Sequence, residues 1–288
     1  MLYVTYTLNF LLMLGLPFVL AAFLARRLGT RWGLVWVGAV TFIASQVVHI
    51  PLNAVLGQVG VLQPAKAGWP LVWYAAVLGL MAGLCEELAR YLVLRFWLKR
   101  DRSWNAALMF ATGHGGVEAV IFGALAGIQT LNIFILRNVD PAQLGVTPDN
   151  LPAVQTQIAA AWSVPILLPL LGAFERVSAI STHLFLAVLV MQVFTRRSIF
   201  WLAAAILWHT LVDGLAVYAA FTWGALPTEA IIAGLAVIGL GLMFALRQPE
   251  PPAVNAALGA AGLPQPATAE PLPPRDATAD QLERTRYQ

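Results

Sequence analysis

The chain is predicted to fold as an all-α, polytopic transmembrane helix bundle of about seven spans, with an eighth span left open. Three observations predict it. Hydrophobic residues make up 59% of the 288 residues and charged residues only 11%, against roughly 45–50% and about 25% in a soluble domain. The mean hydropathy is +0.75, and so little charge cannot cover the surface of a soluble globule. The apolar residues are also gathered into runs of roughly 20, the length needed to cross about 30 Å of hydrocarbon. In lipid every backbone polar group must be paired internally, so such runs form helices.

The runs lie near residues 3–25, 33–56, 69–98, 104–136, 166–194, 199–222 and 227–246. The first has no basic stretch before its apolar core and no small-residue cleavage site, so it reads as a retained span rather than a signal peptide. The connections "RRLGTR" (26–31), "KRDR" (99–102) and "RR" (196–197) are basic, whereas 60–68, 137–152 and 222–229 are poor in Lys and Arg or mixed in sign. The positive-inside rule then gives a multi-pass chain in the cell membrane, with the N-terminus outside and the three basic loops cytoplasmic. Arg247 and the chain beyond it fall inside. The stretch 153–172 is the candidate eighth span. Gln155, Gln157, Pro165 and Pro169 weaken it, and an eighth crossing would move Arg196 and Arg197 outside, so an interfacial helix is the preferred reading. The membrane domain therefore covers residues 1–247. Residues 248–288, rich in Pro and Ala and without periodicity, are expected to form a disordered cytoplasmic tail.

Composition also excludes some classes. No basic patch interleaved with aromatics points to nucleic acid, and the single cysteine, Cys85, excludes an intrachain disulfide and a CxxC metal site. No glycine-rich phosphate loop or HExxH is present.

Several ionisable residues remain inside the spans. The third span carries Glu86, Glu87 and Arg90, and the fourth His114 and Glu118. The fifth carries His183, with Glu175 and Arg176 nearer one end, and the sixth His209 and Asp213. Five such charges left unpaired at mid-bilayer would cost about 13–18 kcal/mol, so they are expected to meet inside the bundle. Counted at 1.5 Å per residue from the basic loops, Glu86, His114, His183 and His209 lie at roughly 15–20 Å, with Glu118 and Asp213 slightly deeper. Glu86 and Arg90, His114 and Glu118, and His209 and Asp213 are each i,i+4 pairs sharing a helix face. Three of the four histidines enter this layer. His49, just before Pro51, reads as an interfacial histidine. Arg90 is expected to pair with Glu87 or Glu86, Arg176 with Glu118 or Glu175, and the GxxxG at Gly123–Gly127 to serve helix packing. Imidazoles converging with carboxylates suit a divalent transition metal, most often zinc, and adjacent carboxylates suit general-base work.

Four segments carry a family resemblance: "EELAR" (86–90), "FATGHGGVE" (110–118), "ERVSAISTH" (175–183) and "HTLVD" (209–213). In this order on successive spans they resemble the YhfC family of bacterial membrane proteins, grouped with the CAAX-processing and bacteriocin-processing (CPBP) proteases and the PrsW-type intramembrane proteases. Phe110–His114 matches that group's FxxxH and His209–Asp213 its HxxxD. Arg90 departs from EExxxR, following the glutamate pair after two residues rather than three, as in the YhfC pattern. The resemblance covers roughly residues 70–220.

It implies a glutamate-dependent intramembrane endopeptidase carrying one zinc ion. Glu86 would activate water, supported by Glu87 and Arg90. His114 and His209 would hold metal or water, with His183 and Glu118 as further ligands, and Asp213 would orient His209 or stabilise an oxyanion. The expected substrate is a membrane protein or a lipidated peptide within the lipid bilayer. Two readings from other classes stand beside it. Intramembrane carboxylates and histidines also build the relays of proton-coupled transporters and channels, although no inverted repeat is visible. The polar layer could also serve only to specify helix packing in a non-catalytic scaffold.

Overall fold

The computed structural model describes residues 1–249. Eight α-helices follow one another among them: α1 (Leu2–Leu28), α2 (Gly33–Gln58), α3 (Gly68–Phe96), α4 (Trp104–Asn138), α5 (Leu151–Ser163), α6 (Leu171–Thr195), α7 (Phe200–Trp223) and α8 (Ala225–Ala245). All but α5 belong to segments long and apolar enough to cross a membrane, seven in total. The protein is thus an all-α bundle of seven candidate spans. The tail expected from residue 248 lies, from residue 250 on, outside the described residues.

The candidate eighth span does not form. Its helix stops at Ser163, and the segment carrying Pro165 and Pro169 turns through a short 3-10 stretch before α6 begins at Leu171. Proline lacks the amide proton and clashes with the preceding turn, so two of them within five residues break the helix. At 13 residues α5 is about 20 Å long, too short to span. It is tied to α1 by the Tyr6 hydroxyl, which donates to the Ala161 carbonyl at 2.7 Å.

The three basic connections share one end of the bundle. Arg31 pairs with Asp101 at 2.5 Å, and Arg102 lies over the Phe194 ring at 4.2 Å. Arg247, just past α8, stacks on Trp104. Local signals set these ends: Gly29 closes α1 in the left-handed conformation, and the Ser103 hydroxyl caps α4 by accepting from the Ala106 amide.

Helix α4 is the pillar, with α1, α2 and α6 packed on it, while α3 pairs with α7 and α6 with α8. Glycine makes the closest crossings possible. A Cβ at Gly38 would lie 1.9 Å from the Phe110 carbonyl oxygen, and one at Gly113 would lie 1.8 Å from that of Val35. The backbones of α2 and α4 are therefore in direct contact, the role small residues play between membrane helices. Gly123 and Gly127 face Met13, Leu14 and Phe10 of α1, so the GxxxG is a packing surface. At the basic-loop end, Leu94, Phe110, Leu186 and Met191 form part of a densely packed apolar core. The polar residues begin one turn deeper, on α3, α4, α6 and α7.

Candidate functional site

Helix α3 places two adjacent glutamates in different surroundings. Glu87 and Arg90 are both fully buried, and one guanidinium nitrogen, Nη1, donates to both carboxylate oxygens at 3.0 Å. The arginine therefore pairs with Glu87 rather than Glu86. Its Nη2 lies 3.1 Å from His183 Nδ1. A guanidinium can only donate, so Nδ1 accepts and the proton of a neutral ring sits on Nε2. That nitrogen donates to Glu118 at 2.7 Å. The other Glu118 oxygen accepts from Arg176 at 2.7 Å, and Arg176 also pairs with Glu175. At the other end, His209 Nδ1 donates to Glu87 at 2.8 Å. A continuous polar chain thus runs His209–Glu87–Arg90–His183–Glu118–Arg176 across α7, α3, α6 and α4. Every ion in it has an opposite neighbour, which is what makes burial tolerable.

Glu86 stands outside that chain. One of its oxygens, Oε2, lies 3.1 Å from His114 Nε2 and 3.9 Å from His209 Nε2. The other, Oε1, accepts from the Gln46 amide at 3.0 Å. Gln46 is held in turn by His49 Nδ1 at 3.2 Å, and His49 Nε2 accepts from Asn53 at 3.0 Å. Asn53, His49 and Gln46 thus form a line of donors aimed at Glu86. Reading His49 as an interfacial residue missed this. The available signal was the spacing of Gln46, His49 and Asn53, a polar stripe at i, i+3 and i+7 along one face of α2.

Glu86, His183, His209 and Asp213 line a cavity of about 350 Å³ that also meets His49, Asn53, Glu118 and Arg176. Asp213 is 42% exposed at its side chain and reaches His209 Nε2 at 3.4 Å. Since Glu87 holds the opposite ring nitrogen, Glu87 orients the imidazole and Asp213 shares its cavity-facing edge. Gly115 permits this crowding, because a Cβ there would lie 2.8 Å from the His183 ring. The cavity-lining residues lie level with the polar layer or on its far side, so the apolar core closes the basic-loop end.

The model of the YhfC intramembrane metalloprotease family matches residues 12–236. The chain belongs to this family. It is also similar to the uncharacterized membrane protein YhfC of Bacillus subtilis (strain 168), at 32% identity over 200 residues, covering 69% of this chain and 77% of that one. No solved structure matches the chain.

The name of the YhfC family implies a metal, and the donors present fit one. Ligand atoms of Glu86, His114 and His183 lie within 4.8 Å of one another. Donors about 2.1 Å from a tetrahedral zinc lie roughly 3.4 Å apart, and the 3.1 and 3.9 Å separations of the two imidazole nitrogens from Glu86 bracket that value. His183 joins the cluster by distance, but Arg90 and Glu118 occupy both of its ring nitrogens. His209 instead turns Nε2 to the cavity, where Asp213 approaches it at 3.4 Å, while the Glu87 carboxylate holds Nδ1, the usual support of a metal-bound histidine. His114 Nδ1 is buried without a partner among the described residues. By distance the cluster is Glu86, His114 and His183; hydrogen bonding instead favours His114 and His209 as the histidines to hold a metal beside Glu86, with His183 and Glu118 bracing them.

Proposed function

We propose that this protein is an intramembrane endopeptidase, zinc- and glutamate-dependent, that hydrolyses a peptide bond of a membrane protein or lipidated peptide in the cell membrane. The observation that carries this reading is Glu86, a carboxylate facing the cavity between His114 and His209 while Gln46 fixes its other oxygen. Held by His114 and His209 beside Glu86, zinc would supply a Lewis acid that polarises a carbonyl and acidifies water. The chain's own residues do the rest. Glu86 takes a proton as water attacks the carbonyl carbon, then returns it to the departing amine as the C–N bond breaks. Glu87 keeps the His209 ring turned so that Nε2 faces the reaction, and Asp213 keeps that edge of the cavity polar. Between the cavity and the basic-loop end the described residues pack largely as an apolar core, an arrangement that supports hydrolysis over transport.

Glu86→Gln tests the proposal, since it keeps the shape and the Gln46 contact but removes the base. In proteoliposomes holding a membrane-anchored peptide reporter, turnover should fall by about 10²–10⁴-fold, the contribution of a positioned base, with melting temperature unchanged. A Glu86→Gln protein as active as wild type would eliminate the assignment.

A further inference from the structure

The polar cavity has a neighbour. A second cavity, of about 570 Å³, lies between α1, α4 and α6, and the two share Phe122, Glu175 and Arg176 as a common wall. The Arg176 guanidinium lies 4.7 Å from the centre of the Phe122 ring, so aromatic and cation form one partition. The second cavity opens sideways. Phe122, Leu125 and Ile128, which line it, are 46%, 55% and 59% exposed on α4, an apolar candidate span, so the groove opens on the side a spanning α4 turns outward.

Two amides are out of place in such a groove. Asn9 uses its Oδ1 to accept from the Ala173 amide at 2.8 Å, but its Nδ2 reaches only the Met13 sulfur at 3.6 Å. The exposed side chain of Gln129, which lines the same groove, makes no hydrogen bond among the described residues. At the partition, the Nε–H of Arg176 is buried and unpartnered. Polar groups left unpaired against hydrocarbon are costly. An acyl chain offers them nothing, whereas an extended peptide presents N–H and C=O groups along its length. The groove therefore suits a peptide backbone rather than a lipid tail.

We propose that this groove is the lateral route by which an extended, membrane-embedded segment of the substrate reaches the site. In this proposal, which rests on the endopeptidase reading, Asn9 and Gln129 pair the backbone, Phe122 swings aside, and Arg176 Nε–H receives a carbonyl at the threshold.

Two experiments test it. The first needs no catalysis. The only cysteine, Cys85, is replaced by serine in a Glu86→Gln protein, and Leu125→Cys is then exposed in liposomes to a synthetic single-span peptide with one cysteine in its apolar segment. Under oxidation Leu125→Cys should form the mixed disulfide several times faster than Val237→Cys, which faces lipid on α8. Equal rates, or no disulfide at either position, overturn the route. In the second, Ala126→Phe fills the groove of the active protein. It should lower kcat/KM at least tenfold on a single-span reporter while leaving cleavage of a water-soluble peptide of the same scissile sequence unchanged. An equal loss on both substrates, or on neither, overturns the route. If wild-type protein cleaves neither substrate, the endopeptidase reading fails, and the disulfide rates still decide whether the groove takes a peptide.

Discussion

Glu86 and Glu87 are sequence neighbours with opposite tasks, because one residue of helix rotates a side chain by about 100°. Glu87 is fully buried and bound by Arg90 and His209, so its charge is matched and its oxygens are engaged. Arg90→Leu would leave that carboxylate buried without its cation. The expected cost is about 3–5 kcal/mol, seen as a large fall in melting temperature in detergent, whereas Glu86→Gln should melt like wild type. An Arg90→Leu protein as stable as wild type would show that the pair contributes little. Much of this was legible in the sequence. The charge cost forced a meeting of the buried ions, and the i,i+3 spacing allowed the Glu87–Arg90 pair. The role of His49 was only partly legible: its spacing from Gln46 and Asn53 marks a polar face of α2, but its position near Pro51 suited a membrane boundary equally well. Only the rotation of α2 against α3 shows that Gln46, His49 and Asn53 point at Glu86.

Among the elements, α4 sets the site through what it lacks. Gly113 brings the α2 backbone against it, and Gly115 leaves room for the His183 ring. In Gly113→Ala the new methyl would lie 1.8 Å from the Val35 carbonyl oxygen, a backbone atom that cannot swing away. Overpacking of this kind costs about 1–3 kcal/mol. Pushing α2 outward would also lengthen the Gln46–Glu86 bond, so the melting temperature and reporter turnover should fall together. An unchanged melting temperature would show that the two helices separate freely. The sequence marked α4 as a packing helix through Gly123 and Gly127, but which of its glycines met which helix was not legible, because a helical glycine can face several neighbours. The end of α5 was legible for a local reason: Pro165 and Pro169, two prolines four residues apart, interrupt the helix where the single Pro17 and Pro51 of α1 and α2 do not.

For the whole molecule, the sequence already carried the decisive feature, polar groups on four spans at one depth. Topology and packing add a direction. The basic loops share one end, where the apolar core closes the bundle, and the cavity lies beyond it. With the basic loops cytoplasmic, water and substrate would reach the site from the opposite face. In the Cys85→Ser background, Asn53→Cys should react with a membrane-impermeant maleimide applied outside intact cells, and Leu186→Cys should not react from either side. Labelling of Asn53→Cys only after permeabilisation would reverse the orientation. The central claim is that these helices assemble one metal-dependent hydrolytic centre, and the zinc content of the purified protein tests it most directly. Wild type should hold about one ion per chain, with His114→Ala and His209→Ala well below that. Zinc-free wild-type protein that still cleaves its reporter, or either variant retaining a full ion, would contradict the claim.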